Sequence, residues 1–252
     1  MKDSKVIVML GVPGSGKGTQ AELLAKELKI PHVSTGDLIR QEIKNETPLG
    51  LALKEEIDKG GLSPDATVGK IIKQRIQQED CAHGMILDGM PRTINQANHL
   101  NDILMDHELT VSCVLYIHLD HDDMLKRLRG RWSCQESDHT YHEIFKPPQT
   151  QGICDIDGST LYQREDQKEE AIQERIKKYN QSTAPLIEFY RKQNLLIDIN
   201  GEQSIEQVFA DTLSQLKTQW YNFDMVTSPA QQKAKNLLLL LNDHAILQTQ
   251  YD

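Results

Sequence analysis

The chain has 252 residues, enough for one large α/β domain with insertions or for two small domains, and it can bury a sizeable core. Lys plus Arg number 28 against 37 for Asp plus Glu, and the net charge of -9 argues against general affinity for nucleic acid or an anionic membrane. Any anionic ligand must therefore meet cations placed locally. The 4 cysteines, Cys81, Cys113, Cys134 and Cys154, are too few for a disulfide scaffold and fit a reducing compartment. The apolar run at residues 6–10 is too short for the core of a signal peptide, and the run at 237–241 falls far below the roughly 20 residues of a membrane span. The expectation is a cytoplasmic protein with neither nucleic acid nor membrane as partner.

In chain order, residues 5–10 (KVIVML) read as a buried strand that meets a glycine-rich turn, and Lys17–Leu28 as a helix with Ala21, Leu24, Ala25 and Leu28 on one face. Similar apolar runs at 84–87, 113–119 and 195–199, with a weaker one at 31–34, alternate with helical stretches. That alternation predicts an α/β fold with a five-stranded parallel sheet flanked by helices.

Two segments interrupt the pattern. Residues 34–69 read as a helical insertion broken only by Gly-Gly-Leu-Ser-Pro at 60–64, and residues 131–167 as a small insertion rich in turn residues, with Pro147, Pro148, Gly152 and Gly158. The core then comprises 1–33, 70–130 and 168–220. A charged helical stretch runs to about Gln193, and a closing helix ends near Trp220. The tail, 221–252, reads as a C-terminal helical extension starting at Ser228-Pro229. Its apolar run 237–241, with Ala245 and Ile246, must pack against something, either its own core or a second copy of the chain.

GVPGSGKGTQ (11–20) is the most informative stretch. Gly11, Gly14, Gly16 and Lys17 lie between a buried strand and an amphipathic helix, so successive backbone N–H groups converge on phosphate oxygens at a helix N-terminus while Lys17 adds a mobile charge. In the usual G-x-x-x-x-G-K-[ST] loop, a hydroxyl after the lysine ligates magnesium. Here Gly18 takes that place, and the hydroxyl comes one residue later, on Thr19. Asp88 follows the strand at 84–87, at the carboxyl edge where open α/β sheets bind ligands. Arg127 and Arg131 share one helix face, and Arg92, Arg164 and Arg175 complete a set of guanidinium groups suited to spreading phosphoryl charge.

The loop ending in Gly-Lys-Gly-Thr with Pro13 inside it, DGMPRT (88–93) followed by Gln96, STGDLIR (34–40), R-x-x-G-R at 127–131 and YHEIFKPP (141–148) together resemble the long-lid form of the adenylate kinase family. The resemblance spans positions 11 to about 201. It implies a P-loop NTPase-like core, an NMP-binding insertion at 34–69 and a lid at 131–167. It also implies ATP and AMP or ADP as ligands, with Mg2+ arriving on ATP, held mostly by phosphates and by water, and with Asp88 receiving the metal's waters.

Carried over residue by residue, the resemblance puts ATP on Gly14, Ser15, Gly16, Lys17, Gly18 and Thr19 of the loop, on Arg127, Arg131, Thr140 and Tyr141, and on Gln203. AMP would lie on Thr35, Arg40, Gly61, Leu62 and Ser63 of the first insertion, on Gly89, Met90, Pro91, Arg92 and Gln96, and on Arg164 and Arg175. Lys17, Asp88, Arg92, Arg127, Arg131, Arg164 and Arg175 would form the catalytic set. No general base is required, because the attacking phosphate oxygen is already ionised, but water must be excluded by a closing lid.

The chain departs from the family pattern at Met90, Ser63, Trp132 and Gln167, where Phe, an apolar branched residue, a basic residue and a second Asp are common. The lid's four strapping positions are Cys134, Ser137, Cys154 and Asp157. Zinc-bearing lids carry Cys at the first three and Cys or Asp at the fourth, and His139 lies near enough to complete a set with Cys134, Cys154 and Asp157. Ser137 instead matches lids strapped by hydrogen bonds, which is the favoured reading, with zinc as the alternative. A monomer is expected, with dimerisation through the C-terminal extension as the alternative.

Overall fold

The computed structural model describes residues 5–137 and 139–226, with side chains to residue 219. The predicted helix start at Ser228-Pro229, the apolar run at 237–241 and any dimer contact through them lie outside the described residues.

In chain order the elements are β1 (Lys5–Gly11), α1 (Lys17–Leu28), β2 (His32–Ser34), α2 (Thr35–Lys44), α3 (Pro48–Asp58), α4 (Asp65–Ile76), β3 (Gly84–Asp88), α5 (Ile94–Met105), β4 (Val111–His118) and α6 (His121–Arg129). There follow three short strands, β5 (Arg131–Cys134), β6 (Thr140–His142) and β7 (Leu161–Tyr162), then α7 (Glu169–Lys178), α8 (Pro185–Lys192), β8 (Leu196–Asn200) and α9 (Ile205–Val226). The main sheet has the order β2-β3-β1-β4-β8, and every neighbouring pair in it is parallel. β1 lies at its centre with residues 6–10 all buried, which is why that run is continuously apolar: helices cover both faces. Val8 sits beside Leu87 of β3 and Val114 of β4, and Leu87 and Val114 join the main core cluster with Leu100, Leu104, Leu186 and Tyr190.

The weaker fifth strand is the three-residue edge strand β2, and Ser34 at its end accepts a hydrogen bond from the Asp37 N–H to cap α2 at 3.2 Å. Residues 34–69 are helical as their pattern predicts, holding α2, α3 and the start of α4, but α4 runs on past position 69 to Ile76. The second insertion folds as an antiparallel sheet of order β6-β5-β7 around a small cluster of Cys134, Tyr141, Cys154 and Leu161.

Three expectations need correction. Arg127 and Arg131 do not share one helix face, because α6 ends at Arg129, Gly130 caps it, and Arg131 opens β5. The charged stretch after Asp166 is not continuous: a wide π-helical turn at Tyr179–Thr183 and Pro185 divide it into α7 and α8. The closing helix α9 does not end near Trp220 but runs to Val226, because no Gly or Pro stands between Gln203 and Val226 to stop it. The chain divides into two units, Lys2–Phe209 and the part from Ala210 onward. The first holds both sheets and the whole of the site described next. The second continues α9 as regular helix to Val226.

Candidate functional site

The site lies at the carboxyl edge of the main sheet. β1 ends at Gly11 and α1 begins at Lys17, with Gly16 between loop and helix at φ 93°, a left-handed conformation that glycine adopts without a side-chain penalty. The loop thus turns straight into a helix N-terminus. Lys17 Nζ donates to the carbonyls of Gly11 and Val12, both at 2.9 Å, so its ammonium hangs over the loop. Burial pushes the Lys17 pKa down to about 8, and Arg92, Arg175 and Arg131 push the same way against the opposing pull of Asp88.

Asp88 ends β3. Burial alone would raise its pKa, but His32, whose Nε2 lies 3.5 Å from Oδ2, together with Lys17 and Arg92, holds it below the ordinary carboxylate value. The next residue, Gly89, has φ 85°, and a Cβ there would lie 2.4 Å from Thr35 Oγ1, which itself donates to the Asp88 carbonyl at 3.2 Å. Only glycine fits so close to the first insertion. A cis Met90-Pro91 bond leads to Arg92, which is tied on several sides. Its Nε donates to the Gly89 carbonyl at 2.9 Å, its carbonyl accepts from Thr183 Oγ1 at 2.9 Å, and its N–H donates to Gln96 Oε1 at 2.7 Å.

The other guanidinium groups come from α6 to α7. Arg127 donates to the Gly201 carbonyl at 2.8 Å and lies 5.1 Å from the centre of the Phe145 ring. Arg131 opens β5, and Arg175 sits near the end of α7; burial lowers both pKa values to about 10. Asp166 binds Arg164 through two hydrogen bonds of 2.9 Å and lies 3.6 Å from Arg175. Burial would raise the Asp166 pKa, and Arg164 and Arg175 more than reverse that. Arg40 on α2 pairs with Asp37.

These side chains line one cleft of about 660 Å³. Around it stand the loop from Gly14 to Thr19, Asp88, Arg92, Arg127, Arg131, Arg164 and Arg175. Thr140, Tyr141 and Gln203 line it as well. So do Thr35, Arg40, Gly61, Leu62, Ser63, Gly89, Pro91 and Gln96. Met90 is brought elsewhere: its side chain is fully buried in the main core cluster. His32, Asp65 and Asp166, which hold the site residues Asp88, Gln96 and Arg164, drew no such roles from sequence; each acts through contacts distant in the chain or through no recognisable local pattern.

The four strapping positions also come together. The donor atoms of Cys134, His139, Cys154 and Asp157 all lie within 4.8 Å of one another. The Ser137 hydroxyl stands among them, 2.7 Å from both Asp157 Oδ2 and His139 Nδ1 and 3.1 Å from Cys134 Sγ. Ser159 adds bonds to Asp157 and Cys134, and the donors around Asp157, Ser159 first and then Ser137, hold its carboxyl far below the usual range.

The arrangement gathers mobile and forked cations around a phosphate-binding turn, with one half-buried carboxylate at the strand end, as transfer of a phosphoryl group requires. A family model described as adenylate kinase matches residues 9–195. An adenylate kinase of Brevibacillus brevis is 46% identical over 211 residues, which cover 84% of this chain and 99% of the relative. Adenylate kinases of Listeria innocua and Bacillus subtilis are each 45% identical over 205 residues, covering 81% of this chain and 95% and 94% of those relatives.

Proposed function

The chain belongs to the adenylate kinase family and is a nucleoside monophosphate kinase, passing a phosphoryl group reversibly between ATP and AMP to give two ADP; we propose that its cleft divides this work as follows. The loop from Gly14 to Thr19 cradles the ATP phosphates through backbone N–H groups, and Lys17 follows the outer phosphates as a mobile charge. Thr140, Tyr141, Arg127 and Gln203 hold the rest of ATP. Arg40 grips the AMP phosphate. Thr35, Gly61, Leu62, Ser63, Gly89, Pro91 and Gln96 enclose the AMP base and ribose.

In the reaction an ionised oxygen of the AMP phosphate attacks the γ-phosphorus of ATP while the bond from that phosphorus to the β-bridging oxygen breaks. No proton need move. Arg92, Arg131, Arg164 and Arg175 contact the oxygens over which charge spreads, and their burial strengthens each contact. Adenylate kinases use Mg2+ with ATP, and Asp88 would hold the waters of such an ion here. The space fits that arrangement: a Cβ at position 18 would lie 3.5 Å from Asp88 Oδ2, so Gly18 leaves the gap between loop and carboxylate open. When bound, such an ion would supply charge neutralisation to the ATP phosphates.

For the lid we propose a strap without zinc. The donor set has zinc chemistry, but the Ser137 hydroxyl occupies the middle of it and joins three of its members by hydrogen bonds. Cytoplasmic location and a monomeric state are part of the same reading. The location is supported by the four cysteines, which are all free, as a reducing compartment keeps them.

One observation carries the assignment: guanidinium groups from β3 to α7 meet Lys17 and Asp88 around a single cleft. A coupled assay with AMP, GMP, CMP and UMP as acceptors and ATP or GTP as donor tests it. Turnover should be greatest with ATP and AMP, and a clear preference for another acceptor or donor would refute the substrate assignment.

A further inference from the structure

Gln96 is buried at 2% exposure, yet it lines the cleft, and two of its four hydrogen-bonding sites are already taken. Its Nε2 donates to Asp65 Oδ1 at 2.7 Å, and its Oε1 accepts from the Arg92 N–H at 2.7 Å. A carboxylate only accepts and a backbone N–H only donates, so both clamps demand the same orientation of the amide. Asp65 is itself fixed. It is the first residue of α4, directly after Pro64, and its other oxygen accepts from Thr93 Oγ1 at 3.0 Å. That hydroxyl in turn accepts from the Gln96 N–H at the start of α5, at 3.0 Å. Asp65 does not line the cleft. It stands behind the group that does.

With one end tied to Asp65 and the other to Arg92, the amide keeps one N–H and one lone pair for a ligand, on fixed sides. Adenine presents an N6 donor beside an N1 acceptor, whereas guanine presents an O6 acceptor beside an N1–H donor. A rotated amide would therefore suit the other purine. We propose that Asp65 is a positioning residue that sets the acceptor preference of this enzyme, by locking the Gln96 amide in the one orientation that pairs with adenine. The inference rests on the reading above in which Gln96 faces the acceptor base.

The test is steady-state kinetics of Asp65→Ala, Asp65→Asn and Gln96→Met, with AMP and with GMP as acceptor. In Asp65→Ala the KM for AMP should rise about ten-fold and the AMP-to-GMP preference in kcat/KM should fall by about the same factor, as expected for losing one charge-assisted hydrogen bond to the reading group. The kcat at saturating AMP and the KM for ATP should stay within about two-fold, since uniform binding alone is lost. Asn keeps an acceptor oxygen for Gln96, so Asp65→Asn should restore most of the AMP preference. If Asp65→Ala leaves both the KM for AMP and the preference unchanged, or lowers every kinetic parameter together with the melting temperature, the positioning role is wrong. Gln96→Met separates the two layers. A raised KM for AMP there with no effect in Asp65→Ala overturns this inference alone, whereas no effect in Gln96→Met overturns the placement of the base as well.

Discussion

Asp166 grips Arg164 with both carboxylate oxygens, Nε to Oδ1 and Nη2 to Oδ2 at 2.9 Å each, while its second neighbour Arg175 stands 3.6 Å away. Arg164 and Asp166 have side-chain exposures of only 13% and 15%, so the pair is sheltered from solvent and each partner depends on the other. In Asp166→Asn the shape is kept and the charge removed. Stability should fall by about 3 kcal/mol in urea unfolding, the range for breaking a buried ion pair, and kcat should fall on the order of ten- to a hundred-fold as two guanidinium groups lose their anchor. The folded pKa of Asp166 lies below its ordinary value of 3.8, so its contribution to stability is present above that pH and is lost as pH falls through the lower folded value. The variant should lack this part of the acid limb. Wild-type stability and turnover in Asp166→Asn would refute the role.

Lys17 and Arg92 touch the phosphates in the proposed complex but carry little of the fold. Lys17→Ala and Arg92→Ala should each lower kcat/KM by at least about a thousand-fold, in keeping with the loss of charge stabilisation in a dry site, while circular dichroism and melting temperature stay near wild type. Near-normal ADP formation in either variant would contradict the assignment.

The lowered pKa of Lys17, about 8, sets a limit on the alkaline side. A bound polyphosphate favours the charged ammonium, so its pKa must be higher in the complex than in the free protein, and binding takes up a proton between the two values. ATP affinity should therefore be flat below about pH 8 and weaken above it, approaching ten-fold per pH unit. Calorimetric titrations from pH 7 to 9.5 would measure this. In Lys17→Arg the slope should vanish, because a guanidinium stays charged over the whole range. An equally steep loss in that variant would assign the titration to another group.

The strap makes a prediction about metal. Protein purified without chelator should contain less than about 0.1 zinc per chain, whereas Ser137→Cys removes the central hydroxyl, adds a thiolate ligand and should bind about one zinc with a rise in melting temperature. Stoichiometric zinc in the unaltered protein would show that the hydroxyl yields its place.

Local pattern accounts for most of what could be read ahead of the structure. The run at residues 6–10 is apolar on both sides because helices cover both faces of β1, and the glycines at 14 and 16 mark a loop that no other residue could form as cheaply. Ser34, a short hydroxyl residue just ahead of a helix, caps α2. The misreadings have equally physical roots. The stretch after Asp166 has helical composition throughout, and nothing in its residue spacing marks the widening at Tyr179–Thr183. No stop signal stands at Trp220, and α9 runs past it. Met90 sits in a motif proposed to contact AMP, but its apolar side chain packs into the core beneath. His32 and Asp65 are not legible in the sequence for one reason: a His after a Pro and an Asp at a helix start look ordinary, and only the fold brings them to Asp88 and Gln96.

The chain enters the small antiparallel sheet at Arg131 and leaves it just before Arg164, so the two joints of this flap are themselves two of the arginines proposed to act in the reaction. A swing about those joints would withdraw both guanidinium groups in one stroke, leaving the donor's terminal phosphate exposed to water only after its activators had gone. Guarding against wasteful hydrolysis would then need no separate sensor, since the latch and the chemistry would share the same atoms.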